Sequence, residues 1–195
     1  MSSRVRFPTA RDVFATFPDL GRLTPEPADE TTPLDHVRRL LASKRPAGSI
    51  LFMAHLLPRR EAVWWARQCV GAILGPSAED EALRAAQAWV RAPDEENRRS
   101  ALDIGNARDR RIPTTWLALA AGWSGGSRSA PEHKPMPPQP SACARAANAA
   151  IILAITAQEP VAISPWIRAC NEAGIRFADG GDADVIPPTD LQAGR

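Results

Sequence analysis

Apolar side chains in this chain recur three and four residues apart, and prolines and glycines fall between the runs. Leu34, Val37, Leu40 and Leu41 make one such stripe, and Ala82, Leu83, Ala86, Trp89 and Val90 make another. The spacing predicts a short helix over 9–17, with Val13, Phe14 and Phe17 on one side and Pro18 ending it. A loop over 23–32 follows. Thr32-Pro33 then supplies an N-cap and a first-turn proline for a helix running to about Lys44, and Pro46 and Gly48 break the pattern. Ile50 to Leu57 reads as a short apolar helix. Arg59 to Leu74 carries apolar groups on more than one face, which predicts the central helix of the core.

Gly75-Pro76 stops that helix, and Ser77-Ala78-Glu79-Asp80 reads as a capped start for the next. Asp80 and Arg84 are expected to pair on its wet side. Pro93-Asp94 punctuates a helix from Glu95 to Arg108, and Ile112-Pro113-Thr114 opens another that runs to Trp123. Residues 124–140 are rich in Gly, Ser and Pro and predict a mobile loop. An alanine-rich helix over 141–158 precedes a last helix that starts at Ser164-Pro165 and ends near Gly174.

Short turns between successive helices place neighbours antiparallel. The expected fold is all-α: helical hairpins packed as an irregular bundle or short solenoid-like array of about eight helices. The expected organisation is an N-terminal segment with a short helix (1–32), a helical core (33–123), the Gly/Ser/Pro loop (124–140), C-terminal helices packing on the core (141–179) and a flexible tail (180–195). No internal repeat is evident, so no solenoid family is implied.

Composition sharpens this picture in two places. Tyrosine is absent while tryptophan occurs 6 times, and the net charge is +2 with both signs interspersed. That balance lacks the strong basic field of a nucleic-acid binder; the cluster of Arg108, Arg110 and Arg111 around Asp109 reads as a solvated helix end. The 3 cysteines (Cys69, Cys143 and Cys170) are odd in number and widely spaced, which is a reducing-compartment pattern rather than a disulfide framework. The N-terminus shows no apolar leader, and the run from Ala149 to Ala157 is about half a bilayer span. The expectation is a cytoplasmic protein without membrane insertion, cofactor or metal.

One short pattern invites a catalytic reading. Gly122-Trp123-Ser124-Gly125-Gly126 matches GxSxG, the turn that exposes a hydrolase nucleophile. That turn needs a strand before the serine and a helix after it, whereas here a helix precedes and a proline-rich loop follows. A helix end with a glycine-bearing turn accounts for the same residues, so Ser124 is a disfavoured nucleophile and the chain is expected not to be an enzyme. His36 and His55 lie in helical runs and His133 in the loop, without metal-ligand spacing. The candidate surface is one for a protein partner. Trp64 and Trp65 point about a hundred degrees apart, so Trp64 can stand at the core's edge. Glu95, Glu96, Arg98 and Arg99 form a charged helix opening, and Trp123 ends a tryptophan-bearing helix.

Three segments carry a resemblance. They are Leu57-Pro58-Arg59-Arg60-Glu61-Ala62-Val63-Trp64-Trp65-Ala66; Ala88-Trp89-Val90 with Pro93 and Glu95-Glu96-Asn97-Arg98-Arg99; and Pro113 with Trp116, Leu117, Ala118, Leu119, Ala120 and the Trp123-Ser124-Gly125-Gly126 end. Together they resemble an uncharacterised family of bacterial α-helical proteins often encoded near type VI secretion genes, beside spike, tip and effector genes. The resemblance spans about residues 50–126 closely and the last two helices loosely. It implies a non-enzymatic cytosolic accessory or adaptor that binds a secreted or spike component of a type VI secretion system. The alternatives are an immunity-like toxin-binding protein and, from another class, a serine hydrolase using Ser124.

Overall fold

Thr9 starts the first helix by accepting the Asp12 N–H while the Asp12 carboxylate accepts the Thr9 N–H, a reciprocal cap on α1 (Ala10–Thr16). This contact comes from a computed structural model that describes residues 3–24, 27, 29–76, 80–130 and 132–188. After α1 come α2 (Leu20–Leu23), α3 (Pro33–Ala42), α4 (Ala47–Leu56), α5 (Arg59–Leu74), α6 (Glu81–Arg91), α7 (Glu95–Ala107), α8 (Pro113–Gly122), α9 (Ala142–Thr156) and α10 (Pro160–Ala178). The protein is an all-α bundle. Among the described residues there are 10 helices and no strand; the short α2 falls where a loop was expected to begin.

Two helices are apolar all round and are buried accordingly. In α4 every residue from Ser49 to Leu56 is buried, and in α8 only Pro113 and Trp116 escape full burial. The expected central helix, α5, instead buries one broad face made of Ala62, Val63, Trp65, Ala66, Cys69, Val70 and Ile73. α9 sits against α4, α5, α8 and α10, and its alanines let those helices come close. α6, α7 and α8 form a second packed group, joined to the first through α5 and α9.

Several boundaries differ from the expectation, each for a physical reason. Gly48 lies inside the first turn of α4, where main-chain N–H groups have no intrahelical partner to lose. α10 begins at Pro160, a first-position proline, so Pro165 lies inside it and the chain does not restart there. Gly174 does not end α10: a Cβ at this position would lie 3.0 Å from Trp65 Nε1 and 3.1 Å from Met53 Cγ, so glycine makes room for Trp65. Asp80 caps α6 by accepting the Leu83 N–H, but it pairs with Arg108 at 2.5 Å and accepts the Thr114 hydroxyl at 2.6 Å. The expected pairing with Arg84 gives way to this link between α6 and the start of α8. Residues 77–79 of the expected cap lie outside the described residues, as do residues 189–195 of the expected tail.

Candidate functional site

The Gly/Ser/Pro segment after α8 is held in place by arginines. The buried Arg98 guanidinium forms two 2.6 Å bonds to the Glu95 carboxylate and donates to the carbonyls of Gly122 at 2.6 Å and Ser127 at 3.2 Å. Arg99 donates to the Ser129 carbonyl at 2.7 Å, and Arg59 to that of Ser124 at 2.5 Å. The Gly122 carbonyl is one that the end of α8 leaves without an intrahelical partner, and the other three belong to the loop that follows. The segment then turns on itself: Arg128 N–H donates to Met136 O, and Ser129 Oγ to Lys134 O, both at 2.8 Å.

Arg98, marked with Glu95, Glu96 and Arg99 as a candidate partner contact, is instead 3% exposed. Sequence spacing does not show this, because its acceptors come from a turn more than twenty residues later. Arg98, and in part Arg99, face inward and serve the loop, while Glu95 and Glu96 remain exposed. The Arg98 guanidinium also holds the Glu95 carboxyl below its ordinary range.

That loop presents Trp123. Its ring stands edge-on to Trp116 at 6.2 Å between centroids, and the Arg110 guanidinium lies 5.4 Å from the Trp116 ring centre and 5.8 Å from that of Trp123. Both rings are half-buried. They line a groove of about 490 Å³ together with Leu23, Leu51 and the small side chains Ala142, Ala146 and Ala149 of α9. Arg128, Gln139, Arg145 and Asn148 also line it. The Asn148 Oδ1 is buried without a hydrogen-bond partner among the described residues.

Trp64 lies elsewhere. It lines a separate cleft of about 310 Å³ with Arg4, Arg60, Glu61, Val90, Arg91 and Phe177, so the candidate partner residues do not form one surface. The structure brings Glu95, Arg98, Arg99 and Trp123 to one end of the α7–α8 pair and leaves Trp64 on α5. Arg110 and Arg145, not marked as partner contacts in the sequence, join Trp116 and Trp123 through tertiary packing; the i,i+7 spacing of the two tryptophans is a local signal for their meeting.

Ser124 follows the C-cap of α8. Its N–H donates to Ala121 O, its carbonyl accepts from Arg59, and its hydroxyl makes no hydrogen bond with a described residue. Tertiary packing also places His55, Cys143 and Arg59 around a small cavity of about 180 Å³. Burial drives the Cys143 thiol up to about 12 and the His55 imidazole down to about 4. Both are therefore neutral at pH 7, the reverse of an activated thiolate–imidazolium pair. Among the described residues, no cluster of three or more His, Cys, Asp or Glu could hold a metal ion, and no helix is long and apolar enough to cross a membrane.

The pattern that defines a family of unknown function (DUF6931) matches residues 36–178. The chain belongs to DUF6931. No curated protein and no solved structure matches it at significant similarity. All the groove residues except Leu23 lie within the DUF6931 region, as do Arg98, Gly126 and the Arg59-Arg60 helix start.

Proposed function

We propose that this DUF6931 protein is a non-enzymatic adaptor, acting in the cytoplasm, that binds a secreted or spike component of a type VI secretion system through the Trp116–Trp123 groove. The observation that carries the docking role is the half-buried tryptophan pair that lines a groove together with Leu23, Leu51 and the alanines of α9. Tryptophans placed this way give large contact area at little entropic loss and dominate many interfaces. The arginine-braced loop supports the same role, since it holds Trp123 in position before a partner arrives. The choice of secretion machinery rests on the resemblance of the Leu57–Ala66, Ala88–Arg99 and Pro113–Gly126 segments.

Titration calorimetry against purified spike, tip and effector domains of such a system tests this. Binding by one of them, weakened about 30-fold in Trp123→Ala with the circular dichroism spectrum unchanged, is the expected result. Wild-type affinity retained in both Trp123→Ala and Trp116→Ala would remove the groove as the docking site. Failure of every secretion component to bind would remove the adaptor assignment.

A further inference from the structure

We infer that the groove takes an acidic segment of its partner: a stretch of chain with a bulky apolar side chain for the Trp116–Trp123 pair and carboxylates for Arg128 and Arg145. This rests on the docking role proposed above and specifies the chemistry of the occupant.

The charge around the groove is one-sided. Arg128 and Arg145 both line it, both are exposed, and neither forms an ion pair with a described residue. Arg110 adds a third cation across the two indole rings, and among the described residues its polar side-chain partner is the Asn106 amide. Among the described residues, no carboxylate lines this cavity. A neutral partner would have to desolvate these guanidinium groups without compensation, and a basic one would meet repulsion. A carboxylate matches the planar fork of arginine with two parallel hydrogen bonds.

The shape points to a segment of chain rather than a compact ligand. The groove shares Leu23, Leu51 and Asn148 with an adjoining cleft that also carries Arg45. It also shares Leu23, Gln139 and Arg145 with a cleft that includes Asp19, the one carboxylate among the described residues that line these three cavities. Asn148 lines both of the first two cavities, where its amide can bond the main chain of an occupant and relieve its unpartnered oxygen. The Trp64 cleft lacks this character: Glu61 lies among its arginines, and Arg60 and Arg4 already donate to the carbonyls of Val90 and Phe177.

Selection of a displayed random peptide library, about twelve residues long, on the full chain provides the test. Enriched peptides are re-measured on Trp123→Ala and on the double variant Arg128→Glu/Arg145→Glu, whose altered side chains are exposed. The expected outcome is peptides with Asp or Glu flanking Leu, Phe or Trp. They should lose binding in Trp123→Ala, weaken about tenfold or more in the double variant, and weaken as salt is raised. Groove-dependent peptides that are neutral or basic, or that bind the double variant as they bind the wild type, would overturn the acidic assignment and leave the docking role standing. An absence of any peptide sensitive to Trp123→Ala would overturn both.

Discussion

Arg98 occupies the space that a side chain at Gly126 would need. A Cβ on Gly126 would lie 2.7 Å from Arg98 Nε, and Gly126 itself has φ +58°. The turn after α8 therefore requires glycine twice over, once for its backbone conformation and once for the guanidinium packed against it. Gly125 carries neither demand: its φ is not positive and a Cβ there would meet nothing within 4 Å.

Removing this lock should loosen the loop that carries Trp123. Arg98→Ala is expected to lower stability by about 2–3 kcal/mol, because it deletes charged hydrogen bonds at a buried site and leaves the Gly122 carbonyl unpaired. Gly126→Ala should also destabilise, while Gly125→Ala should not. Chemical denaturation gives all three values, and a Gly125→Ala variant as impaired as Gly126→Ala would contradict the assignment. The lowered Glu95 pKa is a depressed-carboxylate case, so its contribution is present above the ordinary glutamate range and is lost as pH falls below it.

His55 predicts a different pH window. It is 2% exposed, and its Nδ1–H donates to Leu51 O at 2.8 Å in the neutral tautomer. Burial lowers its pKa from 6.5 to about 4, the Leu51 bond opposes that shift, and the Arg145 charge adds to it. Between those values the unfolded chain binds the proton and the folded one does not. Stability therefore falls as pH drops from about 6.5 towards 4 and its His55 component levels off below, a loss on the order of 3 kcal/mol. Urea midpoints at pH 7 and pH 4.5 should show most of that loss in the wild type and a smaller one in His55→Asn. Equal pH dependence in the two proteins would show that His55 is not its source.

The helical pattern was legible because amphipathic stripes such as Ala82–Val90 repeat over several turns and prolines mark the starts of α3 and α8. Pro165 and Gly174 misled for the opposite reason: each has a local meaning as a breaker, and each is overridden by a contact or position that only the fold creates. The same holds for the candidate site. Trp123 could be marked from its place at a helix end, whereas the cation around it comes from Arg110, Arg128 and Arg145 on three separate segments. The burial of Arg98 depends on two carbonyls distant in sequence, which no local charge pattern encodes.

Trp65 and Gly174 are in close contact where α5 meets α10. Trp65 is 0% exposed and its indole N–H donates to Cys170 O at 2.9 Å, so the ring is pinned and cannot yield to a new methyl group. Trp65→Ala is expected to cost about 3–5 kcal/mol. Gly174→Ala should be net destabilising by about 1 kcal/mol or more, even though alanine has the better helix propensity by roughly that amount. A thermal melt that shows Gly174→Ala more stable than the wild type would mean that Trp65 is free to shift.

The final prediction concerns the closure of α10 by the N-terminal segment. Arg4 N–H donates to Ala178 O at 2.8 Å, its guanidinium donates to Phe177 O and to Gly181 O at 3.0 Å, and its Cζ lies 4.1 Å from the centre of the Phe177 ring. One side chain thus meets the negative end of the helix dipole, satisfies carbonyls at the end of α10 and covers an aromatic face. Arg4→Ala should therefore destabilise by about 1–3 kcal/mol. Arg4→Lys should fall between the two, since an ammonium keeps the charge and one carbonyl bond but loses the planar stacking and the fork. Hydrogen exchange separates this local effect from a general one: in Arg4→Ala the amides of the last turn of α10 should exchange faster while those of α4 and α8 change little. A uniform acceleration, or an Arg4→Ala stability within about 0.3 kcal/mol of the wild type, would show that this cap does not hold the helix end.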